Sequence, residues 1–66
     1  MTVEEKTIFS AVLTKLREQY PEKKINIIGD GKGNEFLTIN DDICHNTTGY
    51  NLLYNLTMLC NAMKNN

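Results

Sequence analysis

Cys44, His45 and Cys60 carry the most reactive chemistry in this chain, and Asp41 and Asp42 lie just before the first two. A cysteine beside a histidine can give a nucleophilic thiolate, and cysteine, histidine and carboxylate together can hold zinc. The spacing supports neither. Adjacent residues point to opposite faces of a strand or lie 100° apart on a helix, so Cys44 and His45 are poorly placed as a dyad. The paired C-x-x-C spacing of zinc sites is missing. Cys60 therefore reads as a plain core thiol, and Asp41 and Asp42 as turn or cap residues. No metal or cofactor is expected, and no motif demands an enzyme.

A second candidate is the stretch IIGDGKGNEF from Ile27 to Phe36. A phosphate-binding loop runs from a strand into a helix, whose N-terminal amides complete the anion site. Here Gly33 and Asn34 lead into EFLTIN, which alternates like a strand, and Lys32 is followed by glycine rather than by Ser or Thr. A calcium loop would need an oxygen ligand where Lys32 stands and a glutamate at its twelfth position. Asp-Gly and Gly-Asn pairs supply positive φ in tight turns, and the stretch is predicted to be a hairpin turn.

The elements around these residues belong to one small domain of 66 residues. A domain this short buries only about 60% of its unfolded surface. The formal net charge of −1 gives no electrostatic footprint for nucleic acid. The start, MTVEEKTIF, lacks the apolar run of a secretory signal, and no segment is long and apolar enough to span a membrane. The expected compartment is the cytosol, with both cysteines as free thiols and the two N-x-T sequons idle. Nine asparagines hint at an AT-rich source such as a phage or mobile element.

The predicted order is α-β-β-α, an α+β domain with two helices packed on one face of an antiparallel hairpin. Thr2 and Glu5 form a capping box ahead of a helix over about 3–19, whose apolar stripe is Ile8, Phe9, Val12, Leu13, Leu16 and Tyr20. Pro21 stops it. Strands follow over about 24–28 and 35–39. Ile25, Ile27, Leu37 and Ile39 share one face, leaving Ile28 and Phe36 on the other. Asn40, Asp41 and Asp42 form the next turn. Ile43, Cys44 and His45 read equally as a short third strand or a helical turn.

The last helix is predicted over about 48–63, capped by Asn46, Thr47 or Thr48. Leu52, Leu53, Leu56, Leu59, Cys60 and Met63 form an inward stripe. Tyr50, Tyr54 and Met58 form a second apolar stripe nearly opposite, and Ile43 to Met63 carries no formal charge. A helix apolar on both sides usually has both covered. Two readings remain: the tyrosines line the rim of the chain's own core, or they face a partner.

The composition favours the second. Tyrosine and methionine are enriched where proteins touch, and uncharged amides hydrogen-bond across a contact without desolvating a charge. The functional expectation is a non-enzymatic interaction module, homodimerising or docking on another protein through Tyr50, Tyr54 and Met58, with Ile28 and Phe36 as an extension. A regulator or inhibitor would fit its size. The alternative is a nucleic-acid-binding regulator using Lys23, Lys24 and Lys32.

Overall fold

In the computed structural model, which describes residues 1–65, the order is α1 (Val3–Gln19), β1 (Ile25–Gly29), β2 (Glu35–Ile39), β3 (Asp42–Asn46) and α2 (Leu52–Asn65). The chain is an α+β domain with both helices on one face of an antiparallel sheet. That sheet has three strands in the order β1-β2-β3. The segment around Ile43 is thus a strand, and the hairpin is extended by one.

Helix α1 starts on the capping box that its sequence specifies. Thr2 Oγ1 accepts from Glu5 N at 3.1 Å, and Glu5 Oε1 accepts from Thr2 N at 2.9 Å. The helix turns Phe9 and Leu13 fully inward, with Val12 and Leu16 packed beside them. Ile8 and Tyr20, expected on the same stripe, are half exposed. The sheet below is narrow and covers only the centre of the stripe.

Strands β1 and β2 pair Ile25 with Ile39 and Ile27 with Leu37 on the helix side, and Ile28 with Phe36 on the other. Their connection is a turn. Gly31 and Gly33 take φ of 76° and 93°, where a side chain would be strained. Asp30 Oδ1 accepts from the amides of Lys32 and Asn34, and Oδ2 from the Asn34 side chain. Those hydrogen bonds hold the carboxyl below its ordinary range, the Asn34 side chain first and the Lys32 backbone amide next. The amides that an anion would need already point at Asp30.

Strands β2 and β3 meet through Asn40 and Asp41, both at positive φ, as the tightest right-twisted hairpins require. Asp42 belongs to β3 rather than to the turn. The register joins Leu37 to His45 but Thr38 to Ile43, so it skips Cys44. One extra residue in β3 makes a β-bulge, which re-aims side chains locally. Cys44 packs against the core, and His45 turns towards the helices from its place beside buried Leu37.

Helix α2 begins at Leu52, four residues later than the sequence predicts. Gly49 has φ of 84°, outside the helical region, and Asn46, Thr47 and Thr48 serve the sheet instead. Thr47 Oγ1 donates to the Glu35 carbonyl, and Thr48 Oγ1 accepts from Glu35 N. Asn51 is the actual cap: its Oδ1 accepts from Tyr54 N and its carbonyl from Asn55 N. The core is Phe9, Leu13, Ile25, Leu37, Ile39, Leu59 and Ala62. Each large side chain so buried stabilises the fold by roughly 2 kcal/mol, and Leu37→Ala would cost about 3 kcal/mol with its cavity.

The roll of α2 about its axis also departs from the sequence expectation. Leu53 is 74% exposed and Cys60 lies on the surface, whereas Asn55 is fully buried. Cys60 is therefore not a core thiol. The helix turns its Asn55–Leu59–Ala62 line inward because Asn55 makes hydrogen bonds there that no leucine could make.

Candidate functional site

Asn55 organises the surface on the β3 side of α2. Its Nδ2 donates to the Thr47 carbonyl at 3.2 Å and the Tyr50 carbonyl at 3.4 Å. Carbonyls only accept, so the orientation of the amide is fixed and Oδ1 must face His45 Nε2, 2.8 Å away. His45 Nε2 is then the donor. One buried amide thus ties the end of β3, the connecting loop and the first turn of α2 together.

The tie brings three rings into one cluster. Tyr50 and Tyr54 stack with centroids 4.4 Å apart and planes within 12° of parallel. The His45 ring lies 5.5 Å from Tyr50 and 5.8 Å from Tyr54, tilted by about a third of a right angle in each case. Such pairs add about 0.5–1.5 kcal/mol beyond the area they bury. Tyr50 is not on the helix, so the expected i, i+4, i+8 stripe does not exist as drawn. The stacked rings nevertheless stand side by side, 44% and 41% exposed.

Met58, one turn beyond Tyr54, is half-buried. It shares a groove of about 310 Å³ with Ile43, Cys44 and Asn61, between β3 and α2. Ile43 is 63% exposed and pairs with Thr38 on the side of the sheet that the helices leave open. Ile28 and Phe36 are cross-strand partners on that same open side. The five residues singled out from the sequence thus fall into two groups, Tyr50–Tyr54–Met58 on the α2 flank and Ile28–Phe36 on the sheet. Ile43 stands at the corner between them.

The three lysines are not brought together. Lys23 Nζ donates to the Met63 carbonyl, and Lys24 Nζ pairs with Asp41 at 3.1 Å, both beyond the start of β1. Lys32 sits in the turn past its other end, about 16 Å away along a five-residue strand. Cys44 and His45 have different partners as well. Cys44 Sγ donates to the Asp42 carbonyl at 3.4 Å, while His45 is held by Asn55. Among the described residues no three His, Cys, Asp or Glu side chains cluster as metal ligands would, and no helix is long and apolar enough to cross a membrane.

Sequence reasoning missed Asn55, Ile43 and Leu53. The signal for Asn55 was present: it lies four residues before Leu59 and seven before Ala62, on one helical line. Comparison of the chain with known protein families, with curated proteins and with solved structures finds no match.

Proposed function

We propose that this chain is a non-enzymatic, cytosolic protein-interaction module that meets its partner through the surface built by β3 and α2. The observation that carries the reading is the Tyr50–Tyr54 stack. It is a rigid aromatic pair more than two-fifths exposed, braced by His45, within 21 residues free of formal charge. Aromatic anchors of this kind dominate binding energy because their bulk desolvates well and few rotors are frozen. Met58 and Ile43 continue the apolar surface along the groove, and Ile28 and Phe36 extend it round the sheet. A domain this small suits a regulator or inhibitor that acts by occupying its partner.

Photo-crosslinking tests the reading. A photoreactive residue at exposed Asn61, which lines the groove, is activated in the cells that make the protein. A discrete adduct is expected, and Tyr54→Glu should remove it while circular dichroism stays unchanged. A folded protein that gives no adduct from position 61 or from Ile43 refutes the module.

A further inference from the structure

We infer that the occupant of this surface is a second copy of the chain, docked about a two-fold axis through the outer face of α2. The inference rests on the interaction-module reading above and narrows it to one partner. The face in question carries Leu53, Tyr54, Thr57, Cys60 and Asn61, all exposed.

In a two-fold contact, residues near the axis meet their own copies. Lysine and arginine only donate and ionised carboxylates only accept, so neither can hydrogen-bond to itself, and like charges repel besides. Tyrosine, threonine and asparagine each donate and accept. Tyr54 and Asn61 on this face are of the self-complementary kind, while Thr57 already donates its hydroxyl to the Leu53 carbonyl and offers only its lone pairs. The chain's seven basic and eight acidic side chains lie outside Ile43–Met63, although they make up a third of the remaining 45 residues. A different partner is commonly steered and registered by matched charge. From Leu53 to Asn61 this face supplies none to match, and self-pairing needs none; Lys64 continues the same helical line only at its C-terminal end.

The geometry sets the strength. Two antiparallel α2 helices would lie about 8–10 Å apart, with Leu53 of each beside the axis region of the other. Lys64, the nearest charge, ends α2, so antiparallel packing sends the two copies of it to opposite ends. The molecule exposes 4385 Å² in all, and a standard interface takes roughly 800 Å² from each partner. A contact confined to one face of the 14-residue α2 falls short of that, so the dimer should be micromolar rather than nanomolar.

The test is sedimentation equilibrium from micromolar to millimolar protein at low and high salt. Wild type should rise from the 7.5 kDa chain mass towards twice that value, with no weakening by salt. Thr57→Lys and Thr57→Glu each place like charges near the axis and should weaken association at least tenfold. Both residues favour helix more than threonine does, so the fold should persist, which circular dichroism checks. Mixing the two variants should restore a dimer, because the new lysine of one copy then faces the new glutamate of the other. Wild type that stays monomeric at millimolar concentration overturns the inference, as do variants that dimerise like wild type or a mixture that remains monomeric. A crosslinked adduct of some other mass in the preceding experiment would then leave the module reading standing, whereas no adduct removes both.

Discussion

Glu5 Oε2 accepts a hydrogen bond from Leu52 N at 3.0 Å, across 47 residues of sequence, while Oε1 of the same carboxylate accepts from Thr2 N. One side chain therefore caps the first turns of both helices. Helix α2 has no acidic residue in its own first turn, and Glu5 supplies that charge from α1. The negative carboxylate also opposes the positive ends of two helix dipoles.

A pH dependence follows. The Thr2 amide first, and the Leu52 amide next, hold the Glu5 carboxyl below its ordinary value of 4.5. A carboxyl lowered in the folded state stabilises the fold above its unfolded value and loses that contribution as pH falls through the folded one. Thermal melts of wild type should drop on acidification below the ordinary glutamate range. Glu5→Gln should melt lower than wild type at neutral pH and show a shallower acid fall. Parallel acid curves for the two proteins would exclude Glu5 as a source of that dependence.

Asn55→Ala should cost about 3 kcal/mol, because it leaves the His45 Nε2–H and the buried Thr47 carbonyl without their partner, at about 1–3 kcal/mol for each group lost, while the Tyr50 carbonyl keeps the Met1 ammonium. Urea unfolding measures it. The accompanying signature is spectroscopic: nitrogen NMR of wild type should show His45 carrying its proton on Nε2, and the variant should lose that resonance's protection from exchange. A loss under 1 kcal/mol, with the tautomer unchanged, would show that the amide is not what holds β3 to α2.

What was legible in the sequence follows from how local each signal is. The Thr2–Glu5 box, the Pro21 stop and the alternation of Ile25, Ile27, Leu37 and Ile39 depend on neighbours within four residues, and all stand as read. The start and roll of α2 depend on distant partners. Thr47 and Thr48 look like caps until β2 claims them, and Asn55 looks like a surface amide until His45 and two carbonyls turn it inward. That turn moves Leu53 and Cys60 out. The aromatic cluster was only half visible for the same reason: Tyr54 lies on the helix, but Tyr50 reaches it from a loop that Gly49 opens and Asn55 holds.

Asp41→Gly should stabilise the domain by about 0.5–1 kcal/mol. Asp41 sits at φ of 70°, and glycine after asparagine is the preferred pair for a two-residue turn with both φ positive. The substitution removes the Lys24–Asp41 ion pair, but that pair is exposed on both sides and contributes little. Asn40 must be kept, since its Oδ1 accepts from Lys24 N and ties β1 to the turn. A lower melting temperature in Asp41→Gly would mean that the ion pair outweighs the backbone strain.

The two thiols should react at very different rates. Cys60 is exposed on the outer face of α2, and Cys44 is half-buried, packed on the core with its Sγ directed at the Asp42 carbonyl. Thiol reactivity follows access and thiolate character. A disulfide reagent on the folded protein at low concentration should therefore label one equivalent quickly and the second more slowly, since the half-buried Cys44 thiol is reached only along the groove between β3 and α2. Cys60→Ser should abolish the fast phase, and urea should make both thiols fast. Because Cys60 lies on the face assigned to the two-fold contact, its labelling should slow as protein concentration rises into the range where the dimer forms, while the slow phase of Cys44 keeps its rate. Two equally fast thiols in the folded protein would place Cys44 at the surface and contradict the bulge that packs it inward.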